Sequence, residues 1–118
     1  MHELGIAESI LNRVQEESLR HAGARPTKVG VRIGELSGVD PDSLSFAFEV
    51  LVKSVPLEGL SLQIDYRKRI QRCAACGCEF ETSILFCSCP DCGSCDSRCI
   101  AGHELDIVYI ELEDPACV

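Results

Sequence analysis

Apolar residues recur at spacings of three and four over residues 4–22: Leu4, Ala7, Ile10, Leu11 and Val14, with Ser18 extending the stripe. Glu8, Arg13, Gln15, Glu16 and Arg20 fall elsewhere, so this stretch predicts an amphipathic helix. Gly23 suits its C-terminal stop, and Pro26 lies beyond its end. From Thr27 to Glu35 the period changes to two. Val29, Val31 and Ile33 alternate with Lys28, Gly30 and Arg32, the pattern of a half-buried strand. Residues 36–39 then form a connection containing Gly38.

Asp40-Pro41-Asp42-Ser43 reads as a second helix start, with Asp40 as N-cap and Pro41 at the first helical position, where no N–H is needed. The helix runs to about Lys53 with Leu44, Ala47, Phe48, Leu51 and Val52 inward, and Pro56 closes it. Phe46, Phe48 and Phe80 are assigned to core packing. Leu60, Leu62, Ile64 and Tyr66 alternate with polar residues in a second strand, and Glu79 to Phe86 is the arm of a hairpin. Glu104 to Glu113 is a third strand whose middle is almost continuously apolar, which predicts the central position in a helix-covered sheet. The expected fold is α+β: two helices packed on a three-stranded sheet, with an inserted four-cysteine zinc-ribbon module. Residues 1–66 plus 103–118 form one unit, and residues 67–102 the inserted zinc-binding domain.

That insertion is where the chemistry concentrates. The unit Cys-x-x-Cys-Gly occurs twice, as Cys73-Ala-Ala-Cys76-Gly77 and Cys89-Pro-Asp-Cys92-Gly93, with twelve residues between Cys76 and Cys89. Two intervening residues let a tight turn aim both sulfurs at one point, and the glycine supplies the left-handed conformation the turn needs. Two such turns facing each other give four thiolates in a tetrahedron, the closed arrangement of structural zinc. The motif is specific for metal and says little about function. Cys92-Gly-Ser-Cys95 is itself a Cys-x-x-Cys, so Cys95 competes with Cys92, and His103 directly after the module is an alternative ligand.

At 118 residues the core is modest, and a metal adds stability where cysteines replace it. Nine cysteines, no basic n-region before Glu3 and no apolar run long enough for a membrane span point to a reducing cytoplasm. The net charge of −8 argues against nucleic acid as the main partner. The basic cluster Arg67, Lys68, Arg69 and Arg72 reads as a solvated connector into the cysteine module. His21, at the end of the first helix, suits the helix dipole.

The opening Met1-His2-Glu3 offers an α-amine, backbone amide nitrogen and imidazole close together. Fused chelation by several nitrogens in one plane favours square-planar Cu(II) or Ni(II). Taken with Ile33-Gly34-Glu35-Leu36-Ser37, the segment Val39-Asp40-Pro41-Asp42-Ser43-Leu44-x-Phe46-x-Phe48, the paired Cys-x-x-Cys units and the tail Gly102-x-Glu104-Leu105-x-Ile107, the chain resembles the HypA/HybF family over essentially its whole length. These are nickel metallochaperones for [NiFe]-hydrogenase maturation, and in some organisms for urease.

The resemblance implies a nickel site at His2 with the Met1 amine and the backbone around His2 and Glu3, Glu3 being the second N-terminal position that handles nickel or a partner. It implies an acidic position near nickel at Asp40, which competes with the N-cap reading of the same residue. It implies zinc ligands at Cys73, Cys76, Cys89 and Cys92. The implied cofactors are structural Zn2+ and transiently carried Ni2+. The implied partners are an accessory nickel GTPase, the hydrogenase large subunit and, where urease is the client, urease accessory proteins; nucleic acid and membrane are excluded, and the protein is not an enzyme. Cys78, Cys87, Cys95, Cys99 and Cys117 depart from the pattern as surplus thiols, which can hold a second soft metal, store zinc, oxidise, or simply sit at the surface. The rival readings are a zinc-ribbon interaction module without nickel transfer, a redox protein using Cys92 and Cys95, and rubredoxin-like iron.

Overall fold

The computed structural model describes residues 3–55, 57, 59–82 and 88–113. Helix α1 (Glu3–Arg20) leads to strand β1 (Arg25–Gly34), a 3-10 turn (Glu35–Ser37) and helix α2 (Pro41–Val52). Strands β2 (Ser61–Arg67), β3 (Ile70–Cys73), β4 (Glu79–Glu81), β5 (Ser97–Ala101) and β6 (Leu105–Glu113) follow. They form two three-stranded sheets, ordered β2-β1-β6 and β4-β3-β5.

Helix α1 buries Ile6, Ala7, Ile10, Leu11 and Val14. Leu4, expected on that stripe, is 48% exposed, and Ile6 takes the inward place. The helix stops where predicted. Ala22 and Gly23 both have positive φ, and the Gly23 N–H donates to the Ser18 carbonyl at 2.9 Å, closing the last turn. Helix α2 starts at Pro41 behind an extended Asp40 and buries Leu44, Ala47 and Phe48 against Val29, Val31 and Ile33 of β1. Phe46 departs from its assignment to the core: it is 68% exposed, because Leu44, Ala47 and Phe48 already occupy the inward arc and position 46 points away from it.

The expectation that the last strand is central is corrected. The central strand is β1, parallel to β2 across the α2 connection and antiparallel to β6 on its other side; β6 is an edge. The apolar run that misled the reading comes from a bulge. Gly30 pairs with Tyr109 but Val31 pairs with Ile107, so Val108 is one residue extra on β6. The extra residue lets both Ile107 and Ile110 turn toward the helices with no polar alternation between them. Tyr109 turns to the other face, where its ring occupies the space a Cβ at Gly30 would need, 2.0 Å from the nearest ring carbon.

The second sheet is reached through the junction of β2 with β3 and left through that of β5 with β6. Here the chain is tied back to the end of β1: the Gly34 N–H donates to Glu104 O and the Leu36 N–H to Gly102 O, both at 2.7 Å. The Glu35 carboxylate accepts the Arg69 N–H at 2.9 Å. The reading of the basic cluster as a solvated connector fails at Arg69. Arg67 and Arg72 are exposed and paired with Asp65 and Glu79, but Arg69 is buried, and its Nε has no hydrogen-bond partner among the described residues. Gly102 is the reason, since its close approach to the Arg69 backbone folds the junction over that residue. The hairpin arm is seen as β4, while residues 83–87, with Cys87, lie outside the described residues.

Candidate metal centre

β3 delivers Cys73 at its end, and the chain turns at once. Cys73 N–H donates to Cys78 O at 2.8 Å, and Gly77 N–H returns to Cys73 O at 2.9 Å with Gly77 at φ 78°. The second turn repeats this pattern. Cys89 N–H donates to Ser94 O at 2.9 Å, Gly93 N–H returns to Cys89 O at 2.9 Å, and Gly93 sits at φ 76°. The repeated sequence thus folds as a repeated knuckle, each glycine supplying the left-handed residue. A bond from Ala74 N–H to Asp96 O at 2.8 Å ties the first knuckle to the segment leading into β5.

In each knuckle the first cysteine is buried and the second exposed, and the four sulfurs of Cys73, Cys76, Cys89 and Cys92 all lie within 4.8 Å of one another. They pair across the knuckles, Cys73 with Cys92 and Cys76 with Cys89, at 3.5 Å each. A tetrahedral ion with metal–sulfur bonds of about 2.3 Å requires sulfur separations of about 3.8 Å. The observed cluster brackets that value, and an all-thiolate donor set of four is the one structural zinc prefers. Of the competing ligands, Cys95 and His103 lie outside the cluster, and so do Cys78 and Cys99.

Backbone dipoles prepare the cluster for a cation. The N–H groups of Cys92 and Asp91 bring the Cys89 thiol down to about 6, and the Cys76 and Ala75 N–H groups lower Cys73. For Cys76 the Cys78 N–H acts downward, but the proton held against Cys89 pushes the thiol up to about 12. Cys92 likewise feels the Ser94 N–H pulling down and the Cys73 sulfur raising it, and ends above its ordinary value. Without an ion, each crossed pair therefore joins one sulfur shifted toward the thiolate with one shifted toward the thiol. Cys73, Cys76, Cys89 and Cys92 would hold a divalent cation as thiolates, and the cation would offset half of their combined charge.

The N-terminal candidates come together in part. Met1 and His2 lie outside the described residues. Glu3 opens α1, and its carboxylate accepts the Asp40 backbone N–H at 3.5 Å. Asp40 is an N-cap: its Oδ2 accepts the Ser43 N–H at 3.2 Å and the Ser43 hydroxyl at 2.6 Å, which hold the carboxyl below its ordinary value. Glu3 and Asp40, separated by the first helix and strand in sequence, are thus neighbours at the start of both helices. His21 stays with its own helix, 3.8 Å from Glu17. What sequence reasoning missed is the junction: Glu35, Arg69, Gly102 and Glu104. The one signal in the sequence is that Glu35, Gly102 and Glu104 fall within the segments that carry the family resemblance.

The family described as "Hydrogenase/urease nickel incorporation, metallochaperone, hypA" matches residues 1–112 of this chain. The chain belongs to the HypA family. The hydrogenase maturation factor HypA of Geobacter sp. (strain M21) is 41% identical over 113 residues, covering 96% of this chain and 100% of its own length. That of Solidesulfovibrio magneticus is 38% identical over 117 residues, again 96% of this chain and 100% of its own. The solution structure of the Ni metallochaperone HypA from Helicobacter pylori shares the fold, with a TM-score of 0.63 at 24% identity over 96% of this chain and 98% of that one. HypA proteins are metallochaperones for hydrogenase maturation, not enzymes, and this member has a four-cysteine cluster capable of holding a metal. No helix among the described residues is long and apolar enough to cross a membrane.

Proposed function

We propose that this chain binds Ni(II) at its N-terminus and hands it on during [NiFe]-hydrogenase maturation, while Zn(II) holds the cysteine module in shape. The Met1 amine, the His2 imidazole and the backbone of His2 and Glu3 would take nickel, with Asp40 beside them. The observation that carries the reading is the bond between the Glu3 carboxylate and the Asp40 amide, which joins the N-terminal segment to the cap of α2. Asp40 can serve both roles, because a carboxylate held ionised by Ser43 is also a ligand in the right charge state. Urease is a second client of the same chemistry, consistent with the family description.

The zinc reading rests on the chemistry of the donors: four sulfurs, two of them shifted toward the thiolate by backbone N–H groups. Zinc supplies only cross-linking, and the chain supplies its knuckles, hydrogen bonds and charge. The division into a nickel-binding unit of residues 1–66 plus 103–118 and a zinc-binding unit of residues 67–102 is supported by the two sheets sharing no strand. An accessory GTPase and the hydrogenase large subunit are the partners this function requires, and a reducing cytoplasm keeps the thiols available.

The test is a nickel titration of tag-free, zinc-loaded protein beside its His2→Ala variant, with zinc content measured in both. One nickel in the wild type, none in the variant and one zinc in each is the expected result. Equal nickel binding by the variant would remove the N-terminal site and direct attention to the surplus thiols. Because amine and imidazole must both lose protons, nickel affinity should weaken as pH falls through roughly 6.5–7.7.

A further inference from the structure

The outer edge of β6 is a feature the metal chemistry leaves unused. Among the described residues β6 pairs only with β1, so alternate N–H and C=O groups along nine residues without proline face away from the sheet. Beside this edge a cleft of about 630 Å³ opens between α1 and β6, walled mainly by Ile6, Ile10, Val31, Leu105 and Ile107, with Arg13 and Asp106 also lining it. The helix-side residues of β6 are correspondingly under-covered: Leu105 is 40% exposed, and Ile107, Ile110 and Leu112 are only half-buried. On the opposite face the charged residues of the strand are all acidic, with Tyr109 between them. It carries Asp106, Glu111 and Glu113 and no lysine or arginine, and among the described residues Asp106 and Glu111 form no ion pair. Arg32, opposite Asp106, is already engaged by Asp65 at 3.1 Å.

An edge strand with an apolar trough on one face and carboxylates on the other selects its occupant. A second copy of β6 would set carboxylates against carboxylates, which cross-strand pairing penalises. The other edge, β2, has a smaller hollow of about 250 Å³, and its Asp65 is neutralised by two arginines. We propose that β6 accepts, by strand addition, an extended segment of a protein partner in which apolar residues alternate with lysine or arginine. Its apolar side chains fill the α1–β6 cleft while its basic ones meet Asp106 and Glu111, and backbone hydrogen bonds along the edge supply register. This inference rests on the fold and stands apart from the nickel reading.

The probe is a blocked ten-residue peptide alternating valine and lysine, titrated into full-length zinc-loaded protein and followed by amide shifts and hydrogen exchange. Protection should appear along residues 105–113. A valine–glutamate peptide should bind about tenfold more weakly or worse, from two or three reversed cross-strand charge pairs. The double variant Asp106→Lys/Glu111→Lys should reverse that order. A lysine peptide N-methylated on alternate residues, which cannot add as a strand, should lose binding to the unaltered protein, so the outcome does not hang on the variant's folding. Equal affinity for both peptides, shifts scattered over the acidic surface without amide protection, protection on β2 instead, or dimerisation through β6 would each overturn the proposal.

Discussion

Gly34→Ala tests how the two sheets are joined. Gly34 has φ −88° and ψ 151°, a conformation open to any residue, so the substitution carries no backbone strain of its own. The added Cβ would lie 2.1 Å from the Gly102 carbonyl oxygen, 2.2 Å from its carbon and 2.7 Å from the Glu104 nitrogen, all backbone atoms. Moving the oxygen beyond the 3.0 Å that real Cβ contacts observe needs a shift of about 0.9 Å. The bonds Gly34 N–H to Glu104 O and Leu36 N–H to Gly102 O, both 2.7 Å, then open to about 3.6 Å and are lost. Two bonds at about 0.5–1.5 kcal/mol each, with about 1–3 kcal/mol for overpacking, give a loss of about 2–6 kcal/mol. Against a typical total of about 5–15 kcal/mol that is a large fraction. Urea unfolding of the zinc-loaded protein measures it, and amide exchange at Gly34 and Leu36 locates it. A loss below about 0.5 kcal/mol with both amides still protected would refute the close approach and the reasoning built on it.

Phe48→Ala, at a 2% exposed position, should cost about 3–5 kcal/mol, while Phe46→Ser, at 68% exposure, should cost under about 1 kcal/mol; parallel denaturant titrations decide, and comparable losses would contradict the helix orientation. Zinc binding at pH 7 should release at least two and fewer than four protons, because Cys76 and Cys92 enter as thiols while Cys89 at about 6 is already mostly ionised. Calorimetry in buffers of different ionisation heat counts them, and a release near four would mean that the backbone N–H groups do not hold thiolates. Asp40 has its carboxyl lowered from 3.8, so its contribution to stability is present above that value and lost as pH falls through the folded one. Asp40→Asn keeps a competent cap, should unfold like the wild type at neutral pH and should lose less between neutral and strongly acid pH. Weakened nickel binding in that variant would separate the ligand role from the cap, and an identical acid limb in both proteins would count against the lowered carboxyl.

Much of this protein was fixed locally. The amphipathic stripe of α1, the alternation of β1 and the Asp40-Pro41 start of α2 are decided by periodicity and capping, which depend on near neighbours in sequence. The knuckles are local too, since each needs one glycine at positive φ and a fixed spacing of sulfurs. That is why the two Cys-x-x-Cys-Gly units were legible as facing turns, while the competition between Cys92 and Cys95 was left to the fold, which gathers Cys73, Cys76, Cys89 and Cys92. What only the tertiary structure decided involves partners far apart in the chain. The bulge at Val108 exists because β6 must fit β1 around Tyr109 and Gly30, and it turned an edge strand into an apolar run that looked central. Arg69 is buried because Gly102, brought back by β5, closes over its backbone, whereas in sequence it stands in a run of solvated cations. The nearness of Glu3 to Asp40 likewise required α1 to pack beside α2. A periodic pattern reports which side of its own element a residue faces. It carries no information about which distant segment arrives to cover that side, and at the β1–β6 seam and the inter-sheet junction that arrival sets burial.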